Sequence, residues 1–162
     1  MPGDIETLFG WSGNLALIGW ALLILSPRRW GWVLLIAGIV IPAVLAALYG
    51  GLMLTHFATV EGGGYGSLAE VKALFENDAV LLAGWVHYLA FDLAIGAVIA
   101  QRADTAGLSR IVQTPILLFT FMFGPLGFLF FVLTDAGWRA IGGVGGGLGA
   151  RRNGGAREGA PA

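Results

Sequence analysis

Four long apolar stretches fill most of this chain, each close to the roughly 20 residues that carry a helix across a 30 Å hydrocarbon core. They cover about residues 8–25, 31–54, 79–100 and 115–133. Backbone in lipid must satisfy its own hydrogen bonds, so such stretches are expected as helices. Composition agrees, since only 12% of the 162 residues are charged and the mean hydropathy is +0.80. A soluble domain carries about 25% charge, and one of this size still exposes about 30% of its unfolded surface to water. The expected fold is all-α: a polytopic membrane protein with a four-transmembrane-helix bundle in residues 1–134. A glycine-rich, mostly disordered tail is expected over 135–162.

The flanks fit this pattern. The first stretch ends at Ser26-Pro27-Arg28-Arg29, which places two arginines among lipid headgroups, and Trp30, Trp32 and Trp138 stand where an interfacial aromatic belt belongs. The acidic start, with Asp4 and Glu6, is unlike a secretory signal, and there is no Arg/Ser-rich transit segment. Between the second and third stretches, Ser67 and Glu70 have capping-box spacing. Leu68, Val71, Leu74 and Phe75 follow on one face, predicting one short interfacial helix over 67–77. Four crossings would put both chain ends and the acidic 56–78 loop on one side. Arg28, Arg29, Arg102 and Arg110 would lie on the other, taken as cytoplasmic.

Several function classes fall away. A net charge of −1 offers no basic face for nucleic acid. Without cysteine there is no disulfide, thiolate metal site or cysteine nucleophile. One deep histidine and one deep carboxylate fall short of the ligands a metal needs, and His56 and His87 lie at different depths for a bis-histidine haem. A proton pathway would show a chain of acids, and only one is deep. No metal and no cofactor is expected; membrane lipid is the expected partner, with an oligomer or a membrane partner protein left open.

The third stretch holds the deep ionisable residues. An aspartate at mid-membrane costs about 2.5–3.5 kcal/mol on insertion scales, so Asp92 marks a functional site or a buried pairing. At about 100° per residue, Gly84, His87, Tyr88, Phe91 and Asp92 share an arc of roughly 140°, opposite Leu82, Ala83, Val86, Leu89, Ala90, Leu93 and Ala97. The expectation is that the polar arc faces the bundle interior and the aliphatic arc faces lipid, with His87 and Asp92 lining one cavity from different edges. Asn14, Pro42 and the Gly124-Pro125-Leu126-Gly127 break lie at similar depth and suggest an intramembrane pocket. The plainer alternative is that Asn14 and Asp92 hydrogen-bond each other as interhelical glue.

The run Gly84-Trp85-Val86-His87-Tyr88-Leu89-Ala90-Phe91-Asp92-Leu93 resembles the signature of the abscisic-acid-deficient-4 type family, membrane proteins related to plant neoxanthin synthase. The similarity extends to Asn14, the prolyl second stretch and the Gly124-Pro125 break, covering about residues 8–134. It implies action on, or binding of, a carotenoid-like apolar ligand, with acid/base isomerisation of an epoxide to an allene and no redox cofactor. On that reading Asp92 donates a proton, His87 accepts one and Tyr88 orients the oxygen. Asn14, Trp85, Phe91 and Pro125 would line the substrate. The alternative is a non-enzymatic pigment-binding or assembly subunit. The Ala/Gly-heavy make-up points to a bacterial inner membrane.

Overall fold

A computed structural model of the chain describes residues 2–28 and 30–138. Six helices follow one another: α1 (Pro2–Leu25), α2 (Gly31–Thr59), α3 (Leu68–Phe75), α4 (Asp78–Thr105), α5 (Arg110–Phe123) and α6 (Pro125–Trp138). There is no strand among the described residues. The expected tail lies, from residue 139 onward, outside them.

Most of α1 (Gly3–Leu25), all of α2 and all of α4 are long and apolar enough to cross a membrane. Helix α4 is central and packs on α1, α2 and α5. It begins at an Asn77 cap whose Oδ1 accepts from the amides of Ala79 (3.1 Å) and Val80 (3.2 Å), two of the donors a helix start leaves unpaired. Its buried residues are Ala79, Val80, Leu82, Ala83, Val86, Ala90, Leu93, Gly96, Ala97, Ile99, Ala100 and Ala103, half of them alanine. The expected orientation of this helix is therefore reversed: the aliphatic arc faces the bundle, while His87, Tyr88 and Phe91 point outward. Lipid tails are as apolar as leucine, so hydrophobicity does not select the inner face of a membrane helix. Close approach does, and it selects small residues. The side chain of Leu93 fills the space over Gly19, and the Trp20 ring lies on Gly96. A Cβ on Gly38 would stand 2.8 Å from that of Ala97.

Pro42 is buried in α2 without breaking it. The preceding turn, Ile36–Val40, is π-helical, and the Ile41 amide bonds the Ile36 carbonyl five residues back. A wider turn of this kind takes up the hydrogen bond that the proline ring removes.

In place of a single fourth span, the chain makes two short helices joined by a reversal. Helix α5 starts at Arg110, earlier than expected, so Pro115 lies within it. Each helix covers 14 residues, about 21 Å at 1.5 Å per residue, short of a 30 Å core. Gly124 between them has φ +41° and ψ −94°, conformations that only glycine adopts readily. The return is tight: the ring of Phe119 meets that of Phe130 edge-on at 5.1 Å, and Gly127 lies against Thr120. The indole N–H of Trp138 donates to the Ala106 carbonyl (3.1 Å), so α6 ends where α5 began.

A polar cluster fixes this end of the bundle. Arg28 is buried, not out among headgroups as expected; it bonds Asp104 through Nε (2.8 Å) and Nη2 (2.7 Å), the Leu23 carbonyl (3.1 Å) and Gln113. Gln113 Nε2 donates to Asp104 (2.9 Å) and the Leu108 carbonyl (2.6 Å). Arg110 Nη2 donates to the carbonyls of Ile24 (2.9 Å) and Ser26 (2.8 Å). The end of α1, the end of α4 and the start of α5 are thereby joined.

Candidate functional site

The outward strip of α4 runs Leu81, Tyr88, Phe91 and Ile95, with His87 on one edge and Asp92 on the other. Residues five apart on a helix are rotated by about 140°, with Cα atoms about 9 Å apart, so the two side chains diverge. They do not share an interior cavity as expected but flank an outward face.

On the His87 edge the helix faces α2 and the loop beyond it. The imidazole stacks on Phe91 (ring centres 4.6 Å apart) and lies 5.3 Å from the Tyr49 ring. Tyr65, stacked on Phe57 at 5.2 Å, comes from the glycine-rich loop. Tyr49, Tyr65, His87 and Tyr88 line one hollow of about 250 Å³, completed by apolar side chains of α2, α3 and α4. These are all three tyrosines of the chain and one of its two histidines. The hollow is smaller than the roughly 300–1,000 Å³ that encloses a drug-sized molecule.

Helix α3 roofs this hollow. The Ser67 side chain accepts from the Glu70 amide (3.2 Å), and the Glu70 carboxylate accepts from the Gly66 amide (2.9 Å), one residue earlier than a capping box requires. Leu74 is buried below, and a Cβ on Gly84 would stand 2.9 Å from the Phe75 ring. Leu68 points outward at 85% exposure, so it is not part of the packed face with Val71 and Leu74.

On the other edge Asp92 meets the tip of the α5–α6 reversal. Asp92, Ile95, Gly124, Pro125 and Phe128 line a second hollow of about 230 Å³. A Cβ on Gly124 would lie 2.5 Å from Asp92 Oδ1, so glycine is what lets the carboxylate reach the tip. Among the described residues no hydrogen bond joins Asp92 to Tyr88 or to Asn14. Asn14 is exposed on α1, away from the Ala16–Gly19–Trp20–Leu23 face that meets α4, so it neither joins Asp92 in a pocket, as expected, nor forms the alternative Asn14–Asp92 pairing. Ser12 is the buried polar residue of α1, donating to the Phe9 carbonyl (2.9 Å).

Trp85 belongs to neither hollow. It lies 5.8 Å from Phe9 and lines a third recess of about 440 Å³ with Ile5, Glu6 and Asp78. Of the sequence-predicted residues, the structure brings His87, Tyr88 and Phe91 together and sets Asp92 beside Pro125; Trp85 and Asn14 stand apart. Among the described residues no cluster of three or more metal-ligating side chains forms.

One comparison bears on this arrangement: the family model described as ABA DEFICIENT 4-like matches residues 7–131, from α1 to within α6. The chain belongs to the ABA DEFICIENT 4-like family. No curated protein and no solved structure matches it. The family match contains both hollows and the reversal, so the α5–α6 tip lies inside the shared region of this ABA DEFICIENT 4-like chain. Tyr49 and Tyr65 had no motif to reveal them. Their only sequence signal is rarity: three tyrosines in 162 residues, two of them in aliphatic or glycine-rich surroundings.

Proposed function

We propose that this protein receives a long, apolar, oxygen-bearing isoprenoid of the carotenoid type on the outward face of α4 and rearranges it by acid/base catalysis. The observation that carries the reading is the gathering of all three tyrosines and His87 around one lipid-side hollow, with Asp92 across the same helix face. A carboxyl directed outward at mid-membrane, as Asp92 is, is costly unless something occupies it. A hydrocarbon ligand with an oxygenated ring end suits that face, because it covers Phe91 and Tyr88 and gives the polar edges a partner.

The chemistry is an isomerisation. Asp92 delivers its proton to the epoxide oxygen and the C–O bond breaks. His87, on the far edge, takes the proton of the neighbouring vinylic carbon through the Tyr88 hydroxyl on the strip between them: the Tyr88 oxygen takes the vinylic proton as its own passes to His87, and the C–H electron pair becomes the second double bond of the allene. One proton is given and one taken, so the product has the substrate's composition. Proton transfers of this kind contribute typically 10²–10⁴ in rate.

Pigment analysis of a host strain expressing each variant, with membrane-inserted protein measured alongside, tests the reading. Asp92→Asn and His87→Gln are expected to leave protein level unchanged and to lower conversion by 10²–10⁴. Normal conversion in both refutes the catalytic assignment. Pigment that co-purifies unchanged with the wild type identifies a binding or assembly subunit instead.

A further inference from the structure

We infer that the recess where α6 returns to α4 binds a phosphate group, most directly that of an anionic phospholipid. It is an open hollow of about 570 Å³ lined by Gln101, Arg102, Thr105, Ala106 and Trp138. It lies at the end of α4 where Asp104 meets Arg28 and Arg110 starts α5, on the opposite end of the bundle from the tyrosine-lined hollow.

Charge bookkeeping at this end singles out Arg102. Three arginines are described here. Arg28 is held by Asp104, Gln113 and the Leu23 carbonyl, and Arg110 by the carbonyls of Ile24 and Ser26. Arg102 is exposed, and among the described residues its guanidinium makes no hydrogen bond or ion pair. A guanidinium offers five N–H donors in a planar fork that matches phosphate oxygens two at a time. Thr105 is on the same wall, but its hydroxyl proton is given to the Gln101 carbonyl (2.9 Å), so the further donor this wall can offer is the Gln101 side-chain amide. Trp138 forms the opposite wall with its N–H anchored on Ala106.

Depth favours a lipid source. The recess lies about 14–21 Å along α4 from Asp92 at its midpoint, with Arg102 at about 15 Å, the edge of a core of roughly 30 Å. Tryptophan and arginine together are the residues expected at that level, and basic pockets between membrane helices are where anionic headgroups dock. A phosphate here would be held by the end of α4, beside the Trp138 ring that closes α6 against it.

The test uses the full chain in neutral detergent, with native mass spectrometry to count bound lipid and thermal unfolding to read stabilisation. Phosphatidylglycerol and phosphatidylcholine of equal chain length are titrated separately, with inorganic phosphate as a third arm. Wild type is expected to prefer phosphatidylglycerol about five-fold, as one basic residue near an anionic surface provides, and to melt higher with it. Arg102→Gln should abolish the preference, Arg102→Lys should retain part of it, and Lys72→Gln, on the exposed side of α3, should leave it intact. Stabilisation by inorganic phosphate alone, lost in Arg102→Gln, supports the phosphate site and names free phosphate as its source. Equal retention of both lipids by wild type, with no effect of phosphate, overturns the proposal whether or not the variants fold. So does a preference that survives in Arg102→Gln.

Discussion

Gly124→Ala tests the reversal at the heart of this fold, because two architectures predict opposite signs for it. At φ +41° and ψ −94° any side chain forces the backbone out of its allowed regions, at a cost of about 1–3 kcal/mol. The new methyl would also stand 2.5 Å from Asp92 Oδ1 and 2.9 Å from Oδ2. The carboxylate can rotate away from it, so backbone strain supplies most of the penalty and about 2 kcal/mol is expected in total. Were residues 115–133 one continuous spanning helix, the same substitution would replace a poor helix former by the best one and stabilise the protein by about 1 kcal/mol. The two expectations differ by about 3 kcal/mol. Reversible unfolding in mixed micelles, titrated with a denaturing detergent, measures the difference. Repeating it in an Asp92→Ala background removes the steric part and should leave most of the loss. A Gly124→Ala protein as stable as wild type, or more so, would refute the reversal and restore the single span.

Three further outcomes are expected. Arg28→Met strips Asp104 and Gln113 of their shared donor; removing one partner of a buried pair costs 3–5 kcal/mol, and the 40% exposure of the Asp104 side chain brings the expected loss to about 2–3 kcal/mol in the same unfolding assay. Gly96→Leu drives a side chain into the Trp20 ring, so overpacking should lower stability by about 1–3 kcal/mol, and Trp20→Ala in the same chain should recover part of it. Single cysteines placed at Gly64, Thr105 and Trp138 in this cysteine-free chain should label with an impermeant maleimide so that Thr105 and Trp138 react from one side of the membrane and Gly64 from the other.

The sequence makes the three long helices plain because length and hydropathy decide them, and neither depends on what a helix packs against. The Asn77 start of α4 and the Ser67 start of α3 are equally local. What sequence reading misplaces is the inward face of α4. A wheel that separates His87, Tyr88 and Asp92 from alanine and leucine is correct as a division. The inference that polar means interior comes from membrane bundles whose ionisable residues line the interior or a water-filled cavity. In this bundle Gly96 is interior because it lets the Trp20 ring close on α4, and Ala97 because it meets the α2 backbone at Gly38, while Leu93 of α4 packs over Gly19 of α1. Arg28 is misplaced for a related reason: arginine next to a span end reads as a headgroup anchor until Asp104, 76 residues later, is seen to lie beside it. The candidate site divides the same way. His87, Tyr88 and Asp92 are legible as deep polar residues in one run, whereas Tyr49 and Tyr65 join them only through the packing of α2 and the loop on α4.

Gly124-Pro125 is the sharpest case, since a glycine–proline pair in an apolar stretch is compatible with a kink or with a complete return, and one dihedral angle separates the two. Distances along the helices decide it. From Asp92 to Ala106 is 14 residues along α4, and from Arg110 to Gly124 is 14 along α5, about 21 Å in each case. A chain that turns at Ala106 and climbs α5 therefore regains the level of Asp92 as it reaches Gly124, where the carboxylate is found. Helix α6 is the same length and brings Trp138 back to Ala106. The return brings Trp138 back to the end of the bundle where Arg28, Arg102 and Arg110 lie. The positive-inside rule then favours one orientation, with the arginine end cytoplasmic and the α3-roofed hollow opening near the opposite surface. Asp92, reached from the arginine side by the reversal tip and flanked by His87 toward the other, stands at the level where the two halves of the α4 face meet.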